Sequence, residues 1–213
     1  PTAAPGQSGH YVITISREFG SGGREIGKLL ARQLGFQYSD SELIRLAAEK
    51  SGYSPEFIEQ NEQAIKNPIL YDFFAWYAGP LEQSEQTKVD QLFQKESQLI
   101  GELAQKGSCV IVGRCADVIL KDYHPLNLFV YADKEAKIER CLRRAPAGEK
   151  LTRGDIERRM RQIDRGRAQY REMYADSKWG AKETYHLCIS TTEKYIKEII
   201  PGLAAYVRCW FSE

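Results

Sequence analysis

The chain has 213 residues, 42% of them hydrophobic, and 30 basic against 29 acidic side chains, a formal net charge of +1. That length suits a single α/β domain with an insertion. No stretch approaches the ~20 apolar residues of a membrane-spanning helix, and near-neutral charge excludes a protein that binds polyanions through bulk charge alone.

Pro1 to Gly9 is small and polar, and residues 1–10 read as a flexible leader ahead of one domain over 11–213. Tyr11 to Ile15 is a short apolar, β-branched run suited to a buried strand. Gly20, Gly22 and Gly23 follow, and then Ile26, Leu29, Leu30 and Leu34 recur at helical spacing. A tight turn between a strand and a helix aims free N–H groups and the positive helix end at one point, which makes an anion site. The Walker A pattern GxxxxGK[ST] supplies a lysine for the β- and γ-phosphates and a hydroxyl for magnesium. Laid on this turn, it places Glu18, Gly23, Arg24 and Glu25 at the first Gly, second Gly, Lys and Ser/Thr positions. A shift by one residue puts Gly23 at the Lys position, so neither register keeps the lysine or the hydroxyl.

Gly35 to Asp40 closes the first helix and forms a second strand, with Ser39 or Asp40 positioned to cap a helix over Glu42 to Lys50. Ser54-Pro55 opens a further helix. The aromatic run between Asn67 and Pro80 reads as core or interface, with a homodimer as the partner it would serve. Thr87 to Lys106 is a long amphipathic helix ending at Gly107. Ser108 to Val112 is then a buried strand that runs directly into Gly113-Arg114-Cys115-Ala116-Asp117. In open parallel sheets ligands bind beyond the carboxyl ends of the strands, so Arg114 is expected on the same edge as the glycine turn. Beside Arg114, the Cys115 thiol is either activated or a small apolar spacer.

Leu126 to Tyr131 is a fourth strand, with Asp133 capping a helix over Lys134 to Arg144. After a flexible Ala145 to Glu149, Thr152-Arg-Gly-Asp155 caps a long helix carrying Arg158, Arg159, Arg161, Arg165, Arg167 and Arg171. His186 to Ser190 is a fifth strand, and Thr191 or Thr192 starts the closing helix through Ile196, Ile199, Ile200 and Leu203. Strands alternating with helices imply a parallel sheet covered on both faces. Acids dominate from Asp40 to Leu99 and bases from Lys137 to Arg171, so the basic segment either meets an anionic ligand or is a solvated face laced with Glu–Arg pairs. The five scattered cysteines fit reduced thiols of the cytoplasm, and the absence of CxxC or HxxxH argues against zinc.

Several of these stretches together resemble a known family. They are Ile13 to Gly27, Val110 to Asp117, Asp164-Arg-Gly-Arg167 with Tyr170, Lys178-Trp-Gly180 and Tyr185 to Ile189. In this order they are similar to the cytidylate-kinase-like family, P-loop proteins related to bacterial CMP kinases, over about Tyr11 to Val207. The resemblance implies a five-stranded parallel sheet ordered 2-3-1-4-5, a monophosphate-binding helical insertion within about 40–106 and an arginine-bearing lid within about 145–175. It implies a phosphate loop of Arg17, Gly20, Ser21, Gly22, Gly23, Arg24 and Glu25. Asp40, Arg114 and Asp117 would hold the acceptor, and Arg165 and Arg167 would clamp the transferring group beside Arg24. ATP would be the donor, with magnesium carried on the nucleotide and Glu25 as its one candidate protein ligand. The reaction implied moves the γ-phosphoryl group to CMP, dCMP or another small phosphate acceptor. Loss of the Walker lysine keeps a second reading open, a nucleotide- or phosphate-binding regulator with little catalysis. Nucleic acid is not the expected partner, because the arginines lack the interleaved aromatics or glycine spacing of the common RNA-binding modules.

Overall fold

A computed structural model describes residues 10–41, 44, 83–145 and 151–212, with the side chains of 83–89 and 91 outside that description. The elements run β1 (Val12–Arg17), α1 (Gly23–Leu34), β2 (Gln37–Asp40), α2 (Gln83–Lys106), β3 (Cys109–Val112), α3 (Ala116–Ile119), β4 (Leu126–Tyr131), α4 (Lys134–Arg144), α5 (Arg153–Tyr174), β5 (Leu187–Ser190) and α6 (Ile196–Phe211). The helices expected over 42–50 and after Ser54, the aromatic run of 67–80, the leader up to Gly9 and most of the 145–149 link lie outside the described residues.

All strand pairs are parallel and the order is β2-β3-β1-β4-β5, as the resemblance implies. Alternate side chains of the strands face opposite layers, the period-2 rule of a pleated strand. Ile13 and Ile15 of β1, with Val110 and Val112 of β3, pack against Ile26 and Leu30 of α1 and Leu203 and Val207 of α6. Val12 and Ile111 face the other way, toward Ile100 and Ala104 of α2 and Ala116 of α3. Burial on both faces is why these strands read as apolar runs rather than as alternating ones.

A third cluster positions the glycine turn. Phe19, 7% exposed, inserts among Ile138 and Cys141 of α4 and Ile156, Met160 and Ile163 of α5. The turn between β1 and α1 is thereby anchored to the two helices that follow β4. Thr152 caps α5 with a reciprocal box: its hydroxyl accepts the Asp155 N–H, and the Asp155 carboxylate accepts the Thr152 N–H, as the sequence suggests.

Some boundaries differ from expectation. α6 starts at Ile196 rather than at Thr191 or Thr192, because both threonine hydroxyls have other partners. The Thr191 hydroxyl lies against the Ser21 and Tyr131 carbonyls, and the Thr192 hydroxyl accepts the Asp133 N–H. Asp133 stands at the N-cap of α4 without a side-chain capping bond. The short helix α3 after β3 is not legible in the sequence. Truncating the turn's anchor, Phe19→Ala, is expected to cost about 3–5 kcal/mol of stability in urea denaturation, the usual range for emptying a buried aromatic site.

Candidate functional site

The glycine turn lies at the carboxyl edge of the sheet, and its peptide groups are turned in a consistent way. The Arg17 carbonyl accepts Nη1 of Arg167 at 3.1 Å, and the Gly20 carbonyl accepts Nη1 of Arg140 at 2.7 Å. The Glu18 carbonyl accepts the Ser21 hydroxyl at 2.8 Å, and the Ser21 carbonyl accepts the Thr191 hydroxyl at 2.7 Å. Arg140 also donates Nη2 to the Thr191 carbonyl at 3.0 Å, closing the ring of contacts. A peptide plane carries its C=O and the next N–H on opposite edges. The Ser21 carbonyl, tied to Thr191, turns the Gly22 amide the other way, while the amides of Glu18, Phe19 and Ser21 go to the Val130 carbonyl, Asp164 and the Glu18 carbonyl, so the cradle consists of the amides of 22 to 25. Gly22 is the N-cap of α1 at φ 85°, and the first-turn N–H groups of Gly23, Arg24 and Glu25 have no intrahelical acceptor, as in any helix. That is the geometry of an anion cradle with the helix dipole behind it.

Two carboxylates complete the support. Asp164 accepts the Phe19 N–H at 2.7 Å and the Arg167 guanidinium at 3.0 Å. Burial pushes its carboxyl above the ordinary value, against the pull of Arg167 and the Phe19 N–H. Glu18 accepts Nζ of Lys137 at 2.7 Å and the Ala132 N–H at 3.3 Å. Asp164, Lys137, Arg140 and Thr191 are the residues that sequence reasoning missed. Lys137 and Arg140 look like ordinary solvated charges on α4, although both are buried. Asp164 stands in Asp164-Arg-Gly-Arg167, where nothing local distinguishes it from a surface acid paired with its arginines.

The residues expected to touch phosphate fall into distinct positions. Ser21 is fully buried and its hydroxyl is bonded within the turn, so it does not face the cradle. Arg24 reaches from α1 to the end of β2, where its Nε is 3.1 Å from the Asp40 carboxylate. Asp40 also accepts the Tyr38 hydroxyl at 2.9 Å; burial, then Asp40 itself, raises that phenol. Glu25 is ion-paired with Arg144 of α4. Arg167 has Nη1 on the turn's own backbone, and Arg165 is exposed.

Arg114 emerges at the end of β3, as expected, with a left-handed backbone (φ 56°) shared by Cys115 (φ 49°). Non-glycine residues in that region cost on the order of 1–3 kcal/mol each and mark places where the surroundings over-determine the chain. Nε of Arg114 is 3.2 Å from the Glu96 carboxylate of α2, and its guanidinium lies 5.4 Å from the ring centre of Tyr170. Tyr170 donates to the other Glu96 oxygen at 3.1 Å. Asp117 has a different setting: it pairs bidentately with Arg171 at 2.8 and 3.2 Å, and both side chains are buried. Arg171 continues to the carbonyl and hydroxyl of Ser177, so this pair ties α3 to α5 and the loop beyond it. Cys115 is buried, and burial pushes its thiol up to about 12. The activation that its neighbour Arg114 suggests does not occur; desolvation outweighs the nearby positive charge.

The solvated-face reading of the basic segment holds for the outer face of α5, while the arginines of its inner face meet protein oxygens. Arg153, Arg158 and Arg161 form exposed pairs with Glu157 and Asp155 at 3.4 to 3.8 Å. Arg167 and Arg171 face inward. Beside the turn, between α4 and the start of α6, a cleft of about 450 Å³ is lined by Glu25, Arg140, Arg143, Arg144, Lys194 and Tyr195 among others. Among the described residues, no helix is long and apolar enough to cross a membrane.

Comparison with known proteins adds three findings. A model of the family described as "Cytidylate kinase-like family" matches residues 12–193. The fold is similar to that of an uncharacterized protein from Eubacterium ventriosum, at 25% identity and TM-score 0.67, covering 93% of this chain and 98% of that one. It is also similar to the shikimate kinases of Acinetobacter baumannii (15% identity, TM-score 0.50, 94% of each chain) and Bacteroides thetaiotaomicron (14%, 0.51, 93% of this chain and 98% of that one), a likeness of fold. No curated protein sequence is similar enough to count as a match.

Three outcomes follow from this geometry. Asp117→Ala strands a buried guanidinium and is expected to cost about 3–5 kcal/mol in urea denaturation, whereas a residue that only touched a ligand would leave the midpoint in place. At pH 8 iodoacetamide is expected to modify the exposed Cys209 in the native protein and to spare Cys115 and Cys109, as peptide mapping would show. An unfolded thiol loses its proton above about pH 8.5 while the folded Cys115 holds it to about 12, so stability falls as pH rises through that window.

Proposed function

The chain belongs to the cytidylate kinase-like family, and on that premise we propose that it transfers the γ-phosphoryl group of ATP to a nucleoside monophosphate, with CMP or dCMP as the first candidates, or to another small phosphate acceptor. Family membership supports a kinase-type phosphotransferase. The observation that carries the finer reading is the cradle of Gly22 to Glu25, with its carbonyls tied outward and arginines on the β2–β3 side of the same sheet edge.

Phosphoryl transfer asks for positioning and for positive charge around the moving group. The amides of the cradle receive the donor's polyphosphate, and the cleft between α4 and α6 lies toward its nucleoside end. On the other side, Arg114 is held by Glu96 and stacked over Tyr170, a setting that fixes its fork for an acceptor phosphate. An acceptor oxygen then bonds to the γ-phosphorus while the bond to the β–γ bridging oxygen breaks, and ADP leaves with that electron pair. Arg167 acts one step back: bonded to the Arg17 carbonyl and to Asp164, it keeps the turn in shape. Magnesium commonly accompanies ATP in such chemistry. Here, among the described residues, no three His, Cys, Asp or Glu side chains gather around one point, and Glu25 already pairs with Arg144. The described residues therefore offer no cluster that would hold a metal apart from the nucleotide.

The direct test is ADP release from ATP with a panel of nucleoside monophosphates. Turnover is expected with a cytidine acceptor, and Arg114→Ala is expected to raise the acceptor KM roughly 10- to 100-fold, about 1–3 kcal/mol of lost charge-assisted hydrogen bonding. Thermal stabilisation by ATP with no ADP release for any acceptor would instead establish the regulator reading, which the missing lysine favours.

A further inference from the structure

Transfer of a γ-phosphoryl group needs a cation between donor and acceptor, yet the turn offers no lysine, and Arg24 at the lysine position is drawn to Asp40 at the end of β2. Lys137 and Arg140 lie on the outer side of the turn, against the Glu18 carboxylate and the Gly20 carbonyl. Arg17 is placed differently. It is the last residue of β1, and its side chain runs across the sheet edge toward β3 and β2. Its Cβ lies where a Cβ on Gly23 would come within 2.5 Å of it, so the first residue of α1 is glycine because this side chain passes over it. Its guanidinium ends over Gly113, where a Cβ would come within 2.4 Å of Nη1, and Nη2 donates to Ser41 Oγ at 3.2 Å. Gly113 also has φ 89°, a left-handed backbone that leads into the strained Arg114–Cys115 pair. The stem of Arg17 therefore passes directly over the first residue of the donor cradle, and its guanidinium reaches Gly113 beside Arg114, a glycine that its own left-handed backbone also favours.

We propose that Arg17 stands in for the missing lysine: its guanidinium meets the β- and γ-phosphate oxygens of the donor and neutralises charge as the γ-phosphoryl group moves toward an acceptor at Arg114. This rests on the phosphotransferase reading above and names the residue that completes it. The geometry suits the task. A guanidinium is charged at every working pH and can bind two phosphate oxygens at once. The main chain of Arg17 is fixed on both sides, by its register with Val130 in β4 and by Arg167 on its carbonyl. In the bond exchange it gives up no proton; the bridging oxygen leaves on ADP with the bonding pair while Arg17 holds the charge on either side of the break.

The test compares wild type with Arg17→Met, Arg17→Lys, Arg24→Met and Gly113→Ala in steady-state ADP release, with folding checked by thermal melting. Arg17→Met is expected to lower kcat about 10²- to 10³-fold, with Arg17→Lys recovering part of the loss and Arg24→Met losing less than Arg17→Met. Gly113→Ala, which displaces the guanidinium without removing it, is expected to lower kcat at least tenfold. A kcat for Arg17→Met within threefold of wild type, or a larger loss in Arg24→Met, overturns the assignment. If Arg17→Met does not fold, Arg17→Lys against Arg24→Lys carries the same comparison. If wild type itself releases no ADP, the phosphotransferase reading fails separately, and calorimetric ATP binding decides: a tenfold or greater loss of affinity in Arg17→Met retains the phosphate contact, and unchanged affinity removes it.

Discussion

The site depends on one constraint, the outward orientation of the carbonyls between Arg17 and Ser21. A carbonyl turned into the cradle would repel an anion and remove an amide from it at the same time. Four of the five oxygens have a side-chain donor: Arg167 from α5 for Arg17, the turn's own Ser21 hydroxyl for Glu18, Arg140 from α4 for Gly20, and Thr191 from the end of β5 for Ser21. The two guanidinium bonds among them are charge-assisted, a kind that contributes roughly 1.5–3 kcal/mol each when shielded from water. Parallel topology makes this possible, because every strand leaves the sheet at the same edge and delivers its following segment there.

Around that backbone the charges are arranged in pairs. Arg24 meets Asp40, Arg114 meets Glu96, and Arg171 meets Asp117, and in each case the carboxylate is almost wholly buried. Several guanidinium groups near one edge would repel one another; a fixed carboxylate beside each lowers that cost and holds the fork in one orientation. The pairs differ in consequence. Asp117–Arg171 is enclosed and acts as a brace, whereas Arg24 and Arg114 remain partly exposed at the edge where an anion would arrive. Phe19 has a comparable bracing role: a hydrophobic side chain on a glycine-rich turn is unusual, and its burial between α4 and α5 holds the turn against both helices.

The contrast within α5 shows why composition alone misleads about a basic segment. Arg153, Arg158 and Arg161 pair along the helix with Glu157 and Asp155 in solvent, an arrangement of little energetic weight. Arg167 and Arg171, on the inward face of the same helix, contact the turn and α3. Helical periodicity separates these groups, but only if the direction of the core is already known.

By itself the sequence determined the class of fold, the strand–turn–helix at the N-terminal side of the sheet, the capping box of α5 and the presence of Arg114 at the site edge. All of these follow from local rules: period-2 and period-3.6 burial, cap chemistry, and the exit of parallel strands at one edge. Tertiary structure alone decided which charged residues serve the turn. Lys137, Arg140 and Asp164 carry no local mark, and Asp117, Arg24 and Arg167 found partners that lie far from them in sequence. A guanidinium takes whichever oxygen the packing brings within reach, and that depends on the positions of separate elements rather than on the neighbours of the arginine in the chain.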